Sequence, residues 1–386
     1  MLAVCALRLP TMFNVERTGW DERAYVVFAQ TLDKGGVAGL RQWLHDYPVT
    51  PSLQKSPLFL RVGFILPALW TCKILGGFIV DHLAWLSFLA GVGLVVLGAH
   101  FANQLVGRRA AMICGALLIT SPLAAGLSRR ATQDTFAALT LLGCLFLFDA
   151  CWRRRSALAH LLFGLCLTLA FLTKESAVLL YPIMGLAALY YWRAMKLRPS
   201  LLLLLALVLA PLAYLLIEIA LCGSVANFTG TYRTYASLQQ TLDYTVHFEK
   251  GPWFAYLVAF LAIAPLAWVG SAIGLSAPVD DEGRRHGRNL ALIYLSSALL
   301  LFAQLPVINV RLVLFADVFV RIGTALAIVY VAGRCRAQWT RAVLIALIAL
   351  VMIGDSLQCY RLFWQGEIYS PTTFLLLRTE GFYDAH

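Results

Sequence analysis

Ten apolar segments, each about as long as a lipid bilayer is thick, dominate this sequence of 386 residues. One helical crossing needs about 20 consecutive apolar residues. Soluble domains are about 25% charged, whereas only 13% of this chain is charged and 60% is hydrophobic. A soluble or disordered chain is therefore excluded, and the pattern predicts an all-α bundle that crosses the membrane ten or eleven times. The ten predicted spans lie at 82–105, 110–128, 134–151, 157–173, 176–192, 199–221, 253–274, 289–307, 312–333 and 341–358.

The basic residues predict which side of the membrane each loop occupies. They cluster in every second loop, at 108–109, 153–155, 193–198, 284–288 and 334–341. Loops rich in Lys and Arg remain in the cytoplasm, so the intervening loops are predicted to be extracytoplasmic. This orientation also accounts for the net charge of +11, and no nucleic-acid partner is expected.

Residues 57–80 are apolar enough to span, but they contain Arg61 and Lys73. We predict that they form an amphipathic helix in the membrane interface. Residues 14–81 then make up a first outer loop, and residues 222–252 a second one.

The predicted organisation is a transmembrane catalytic domain over 1–335, followed by a last helix and a short extracytoplasmic tail over 336–386. Aromatic residues are frequent between 228 and 254, at Phe228, Tyr232, Tyr235, Tyr244, His247, Phe248 and Trp253. They could line a sugar or acceptor pocket, but a belt at the membrane interface is the favoured interpretation because aromatic residues prefer that depth.

Polar residues that are unusual at membrane level collect on the predicted outer side. Such residues indicate function by default, because burying them near lipid is costly. Carboxylates can act as general bases or bind metal, and lysines and arginines bind phosphate. A lipid phosphate, a base and an acceptor hydroxyl are the components of sugar transfer from a polyprenyl-phosphate donor. The residues concerned are Asp21, Glu22, Lys55, Arg129, Arg130, Asp134, Lys174, Glu175, Asn309 and Arg311.

Five short motifs resemble those of the GT-C superfamily of membrane glycosyltransferases, which includes the protein O-mannosyltransferases and the aminoarabinose transferase of lipid A. They occur in the family's order over about residues 14–335. The chain departs from the family pattern at Ser56 and Leu312, where a proline and a tyrosine are usual. The motifs are Trp20–Tyr25, Gln54–Leu58, Ser128–Ala131 with Asp134, Phe171–Glu175 and Asn309–Leu312.

The resemblance implies a GT-C fold with interfacial helices in the first outer loop, and it implies roles for the polar residues. Asp21 and Glu22 would be catalytic, and either could bind a divalent metal, although no metal site is assigned. Asp134 and Glu175 would support the site. No nucleotide cofactor is expected. The residues implied in binding the donor phosphate are Lys55, Arg129, Arg130, Lys174 and Arg311.

Each assignment has a structural alternative. Asp21 could cap or begin a helix over 22–33, and Arg129 and Arg130 could anchor a helix at the membrane surface. Lys174 could contact phosphate, pair with an acid of the first loop, or form a local ion pair. Asp134 could orient an arginine four residues away.

The predicted function is that of an integral, multi-pass glycosyltransferase of a bacterial plasma or inner membrane, active on the extracytoplasmic face. It would move a hexose or pentose from a polyprenyl-phosphate donor to a lipid, polysaccharide or protein acceptor. The alternatives are a transporter or flippase for a lipid-linked or anionic substrate, and an inactive scaffold of the same fold. The family normally carries one more helix before the first acidic motif, so eleven spans would be expected with that helix present.

Overall fold

A computed structural model describes residues 9–12, 20–54, 58–241, 252–305 and 308–365. Within these residues the secondary structure is helical throughout, with no strand. Short 3₁₀ segments lie at Leu9–Met12, Glu175–Leu179 and Val310–Val313, and a π turn at Tyr360–Gln365. The α-helices are α1 (Trp20–Asp46), α2 (Pro51–Gln54), α3 (Val62–Ile74), α4 (Val80–Val106), α5 (Arg108–Ile119), α6 (Pro122–Ser128), α7 (Asp134–Arg154), α8 (Ala157–Thr173), α9 (Leu180–Arg193), α10 (Leu201–Cys222), α11 (Val225–Thr241), α12 (Ala255–Ile263), α13 (Pro265–Ser276), α14 (Glu282–Phe302), α15 (Ala316–Gly333) and α16 (Ala337–Cys359).

The all-α membrane bundle that the sequence predicts is confirmed, and each of the ten predicted spans coincides with helical structure. Five of the described helices are individually long and apolar enough to cross a membrane, or seven crossings if each of two bent pairs is counted as one. Three predicted spans are missing even from the count of seven. Helices α8 and α9 have 17 and 14 residues, which is at or below the length of one crossing. Helix α14 begins with a polar run of eight residues, EGRRHGRN.

Two of the predicted spans are not straight helices. The segment 253–274 was expected to span as one helix, but α12 and α13 meet at an angle of 116°. Pro265 begins α13, and proline cannot donate the backbone hydrogen bond that would continue α12. Likewise, α5 and α6 within the predicted span 110–128 meet at 53°, where Pro122 follows the N-cap Ser121.

Helices α1, α2 and α3 lie within residues 14–81, and none of the three is both long and apolar enough to span a membrane. Helix α1 is longer than the predicted 22–33 and breaks at Gly36, which has a φ of +52° that glycine adopts readily. Helix α3 has 13 residues, or about 20 Å at 1.5 Å per residue, too short to cross. The prediction that this segment is amphipathic is wrong. One face of α3 packs in the core, and the other exposes Leu66, Trp70 and Ile74.

A buried ion-pair network fixes the last helix. Arg321 of α15 contacts Asp317 one turn away, with Nε 3.2 Å from Oδ1. Arg321 also pairs with Asp355 of α16. Asp317 additionally accepts a hydrogen bond of 2.6 Å from Ser121, the N-cap of α6. Since α16 buries only Val351 and Asp355, this network is its main polar attachment.

A second network holds α3 in place beside the candidate site. Arg61, directly before α3, donates from Nε and Nη2 to the two carboxylate oxygens of Glu175, at 3.0 and 3.1 Å. It also donates to the hydroxyls of Tyr25 on α1 at 3.0 Å and Tyr235 on α11 at 2.8 Å. Such a two-pronged arginine–carboxylate pair is among the stronger polar contacts in proteins. Arg61 therefore joins α1, α3, α11 and the turn before α9.

We call the end of the bundle that carries Asp134 and Lys174 the acid–base end. The opposite end, which carries Arg154 and Arg193, is the basic end. Helix α7 runs from the first end to the second and α8 runs back, which brings the 133–134 and 174–175 segments together. The polar residues singled out in the sequence therefore meet at one end of the bundle.

Replacing Asp355 by Ala should destabilise the protein by roughly 1–3 kcal/mol, because it leaves the buried Arg321 guanidinium with one carboxylate instead of two. Thermal or denaturant unfolding in detergent measures the effect. Ile353→Ala is the matched control, because Ile353 lies on α16 and is 59% exposed. Equal losses from both variants would contradict a specific role for the ion pair.

Glu175 should make the free energy of unfolding depend on pH in the acidic range. Although burial opposes the shift, the Arg61 guanidinium lowers the pKa of Glu175 below its ordinary value. Its contribution to stability is therefore full above the ordinary glutamate pKa of about 4.3 and is lost as the pH falls through the lowered value. Glu175→Gln should be less stable at pH 7 and lose less on acidification, whereas the exposed control Glu282→Gln should follow the wild type in unfolding experiments between pH 7 and 3. A Glu175→Gln curve parallel to the wild type would contradict the pairing.

Candidate active site

Arg311 lies at the centre of the acid–base end. Its Nη1 is 3.8 Å from Oδ2 of Asp21 and 3.9 Å from Oδ2 of Asp134. The local fold explains its position: Asn309 caps the 3₁₀ turn, and its side-chain oxygen accepts a hydrogen bond of 3.0 Å from the backbone N–H of Arg311. The Asn309–Arg311 spacing noted in the sequence thus corresponds to a capped turn that fixes an arginine between two carboxylates.

Lys174 pairs with Asp134, not with an acid of the first outer loop. Its Nζ is 2.7 Å from Oδ1 of Asp134, and both side chains are buried. Asp134 was expected to orient an arginine of the preceding turn. It receives this hydrogen bond from Lys174 instead, and Arg130 acts on it through its charge. Helices α7 and α8 are therefore joined by an ion pair at the point where both reach the acid–base end.

Glu22 is fully buried and holds the α6–α7 connection. Its Oε1 accepts a hydrogen bond of 2.9 Å from the backbone N–H of Ala131 and lies 3.8 Å from Nε of Arg130. As the third residue of α1, Glu22 lies on the inner face of the helix, whereas the neighbouring Asp21 is partly exposed. The two adjacent acids thus have different surroundings.

Arg129 and Arg130 are each only 5% exposed, which is unusual for a pair of adjacent arginines. Burial, followed by the charge of Arg311, lowers the pKa of Arg130, so the positive charge is held in an unfavourable setting. These arginines lie beside Lys174 and Arg311, and the acids Glu22 and Asp134 lie among them.

Asp21 is the accessible member of this group. Its side chain is 44% exposed, whereas that of Arg311 is 17% exposed and those of Lys174 and Asp134 are 11% and 4% exposed. Asp21 is thus a carboxylate that solvent can reach, beside the buried basic side chains of Arg130, Lys174 and Arg311. Such an arrangement can accept a proton from one molecule while the basic side chains hold an anionic group of another.

Two further residues of this end were not proposed as site residues from the sequence. Arg61 was read only as a charge that argues against a span, yet it binds Glu175 as described above. Glu218 is fully buried in α10, and neither of its carboxylate oxygens has a hydrogen-bond partner among the described residues. It lies within electrostatic reach of Glu175. An acid inside a 22-residue apolar helix was the available signal.

The aromatic residues of the second outer loop divide into two groups. Tyr235 accepts a hydrogen bond of 2.8 Å from Arg61. The hydroxyl of Tyr232 lies 2.6 Å from that of Tyr214 on α10. Trp253, by contrast, is 59% exposed. Tyr244, His247 and Phe248 lie outside the described residues, as does the predicted phosphate ligand Lys55.

The described residues do not form a cation site. They contain no group of three His, Cys, Asp or Glu side chains placed to hold a metal. Asp21 offers an accessible carboxylate, but Glu22 is engaged by the Ala131 amide and Arg130. Side chains at adjacent helix positions also point in different directions. The expected metal role of this acid pair is thus poorly supported by the geometry, and no chemical step is derived through a metal.

Comparisons with known proteins identify the fold. Residues 68–217 match the model of the dolichyl-phosphate-mannose-protein mannosyltransferase family. No curated protein sequence matches the chain.

Solved structures of two kinds are similar over 93% of the chain. ArnT from Cupriavidus metallidurans, bound to undecaprenyl phosphate, has a TM-score of 0.63, with 14% identity and 75% of that chain covered. The oligosaccharyltransferase of Archaeoglobus fulgidus, in complex with Zn and sulfate, has a TM-score of 0.61, with 13% identity and 51% of that chain covered. The archaeal oligosaccharyltransferase AglB from Archaeoglobus fulgidus, in complex with an inhibitory peptide and a dolichol-phosphate, has a TM-score of 0.57 at 13% identity, with 54% of that chain covered.

Together with the long apolar helices, these similarities confirm the resemblance that the five motifs predicted: the chain is an integral, multi-pass membrane protein with the GT-C fold.

Proposed function

We propose that this protein is an inverting membrane glycosyltransferase that transfers a hexose or pentose from a polyprenyl-phosphate donor. The observation that carries the proposal is the exposed Asp21 carboxylate, 3.8 Å from Arg311 and in front of the buried bases of the acid–base end. The names of the structural neighbours, which include undecaprenyl phosphate and dolichol-phosphate, agree with such a donor. The acceptor would be the hydroxyl or amide of a lipid, polysaccharide or protein.

In the proposed reaction, the arginines bind the donor phosphate and Asp21 removes the proton of the acceptor. Arg130 and Arg311, with Arg129, would hold the donor phosphate by charge-assisted hydrogen bonds. The acceptor atom attacks the anomeric carbon as the bond from that carbon to the phosphate oxygen breaks, and the phosphate leaves with the electron pair. Asp21 takes the proton of the acceptor. The developing negative charge on the phosphate is stabilised by cations that are already in place, which lowers the barrier without reorganisation.

Other members of the predicted site would position these groups. Lys174 and Asp134 would fix the α7–α8 reversal and keep Arg311 in place, and Glu22 would hold the backbone that carries Arg129 and Arg130. We assign Glu22 to positioning because its oxygen is bound to the Ala131 amide, which leaves Asp21 as the catalytic base. Lys55 remains a proposed phosphate ligand on its motif alone.

The acid–base end would face the extracytoplasmic side of a bacterial plasma membrane. The support for this orientation is the excess of Lys and Arg at the opposite end, where the loops 153–155 and 193–198 lie, because basic loops remain in the cytoplasm.

Asp21→Asn should lower the rate of sugar transfer by about 10²–10⁴, the usual contribution of a positioned base. The assay offers a panel of polyprenyl-phosphate sugars, with candidate acceptors, to the purified protein and measures release of polyprenyl phosphate. Asp33→Asn is the matched control, because Asp33 also lies on α1 and its carboxylate pairs with Lys73 at the surface, at 2.5 Å. Near-normal release by Asp21→Asn would remove Asp21 from catalysis. Absence of release by the wild type with every donor would favour the transporter or scaffold alternatives.

Arg130→Gln should weaken binding of free polyprenyl phosphate by about tenfold to hundredfold, because it removes a hydrogen bond between charged groups. Equilibrium binding, measured without any acceptor, separates this effect from the proton transfer. Asp21→Asn should bind the lipid phosphate with nearly wild-type affinity, and so should Arg23→Gln, whose side chain is exposed on α1. Equal affinity of Arg130→Gln and the wild type would contradict a phosphate role for this arginine.

A further inference from the structure

A groove lies near the basic end, away from the candidate active site. It has a volume of about 440 Å³ and lies between α7, α9 and α10. Its lining includes Trp152 of α7, which is 18 residues along the same helix from Asp134, or about 27 Å at 1.5 Å per residue. Along α9 the groove extends from Tyr181 to Trp192, or about 16 Å. This is close to half of the hydrocarbon core, which is about 30 Å thick, so the groove is as deep as one leaflet.

The lining is almost wholly apolar. Its polar side-chain atoms are the hydroxyl of Tyr181, which donates to the backbone oxygen of Leu207 at 2.5 Å, and the indole nitrogens of Trp152 and Trp192. The indole nitrogen of Trp152 is closed off from solvent. A ligand that suits the groove is therefore an apolar chain.

The mouth of the groove is strongly basic. Arg193 follows the lining residue Trp192, and Arg198 precedes the lining residue Pro199. Arg155 donates a hydrogen bond of 3.1 Å to the backbone oxygen of Arg198, so the α7–α8 and α9–α10 connections lie together. The exposed bases here are Arg154, Arg155, Arg193, Lys196 and Arg198. Between residues 149 and 200 the sequence holds two acids. Asp149 is buried and pairs with Arg153, and Glu175 lies at the other end.

We propose that this groove binds an anionic glycerophospholipid from the leaflet at the basic end. An acyl chain occupies the space between α7, α9 and α10, and the phosphate lies among the exposed bases. Basic pockets between transmembrane helices are suited to anionic headgroups. This proposal does not depend on the chemistry at the acid–base end, so the lipid site and the glycosyltransferase function can be disproved independently.

The rim bases and the space of the groove can be altered independently. Arg193→Gln, Lys196→Gln and Arg198→Gln together remove the rim charge, and Arg284→Gln, Arg285→Gln and Arg336→Gln together are a control with the same loss of exposed charge outside the groove. Gly185 lines the groove, and a Cβ built there meets no atom within 4 Å. Gly185→Phe therefore fills the groove without a clash at its first side-chain atom. Thermal unfolding without added lipid shows that each variant is folded.

Native mass spectrometry of the full chain would titrate phosphatidylglycerol against phosphatidylcholine with identical acyl chains. We expect the wild type to bind phosphatidylglycerol at least tenfold more tightly, and the rim variant to lose about tenfold to hundredfold of that affinity. The control variant should stay within twofold of the wild type, and Gly185→Phe should lose binding of both lipids.

Three results would overturn the proposal. The first is equal affinity for the two lipids in the wild type, and the second is an equal loss in the rim and control variants. The third is displacement of phosphatidylglycerol by polyprenyl phosphate with the same potency in the wild type and in Arg130→Gln. That result would assign the groove to the sugar donor. The first two results would leave the proposed glycosyltransferase activity in place, because that activity is measured separately with polyprenyl-phosphate sugars.

Discussion

The cost of placing charge near lipid governs how this bundle is assembled. Helices that are apolar on all sides gain little by packing against one another in a bilayer, since lipid tails are as apolar as leucine. Charged groups behave differently, because each must find a partner on another helix or remain at great cost. The pairs Lys174–Asp134 and Arg61–Glu175, and the Arg321 network, each join elements that are distant in sequence. These contacts define which helices meet, and the apolar packing fills the space around them.

The need of each buried charge for a partner of opposite charge also shapes the candidate active site. A site for a lipid phosphate needs several cations at membrane depth, and cations in that position need carboxylates to hold them when no substrate is bound. Arg311 lies between two such carboxylates, with its Nη1 3.8 Å from Asp21 and 3.9 Å from Asp134. Glu22, by contrast, accepts a hydrogen bond from the backbone of the α6–α7 connection.

The sequence predicted the helical class and the end at which the polar residues gather, because alternation of spans places every second loop on one side. It could not predict the pairings. Lys174 was expected to meet the first outer loop or its neighbour, yet it meets Asp134 across 40 positions, a contact set by how α7 and α8 lie together. Asp355 and Glu218 gave weak signals, since each is a single acid within an apolar run. The 116° bend at Pro265 was hidden for the opposite reason, because the run through it is uniformly apolar.

Arg321 has a consequence for how the chain enters the membrane. This arginine is fully buried within α15, and Asp317 lies one turn before it on the same helix. The helix therefore carries its own counter-charge and reaches the bilayer as a nearly neutral unit. Asp355 has no such companion on α16, so that helix gains its partner only after α15 is in place. The order of synthesis, α15 before α16, is thus also the order in which the charges can be neutralised.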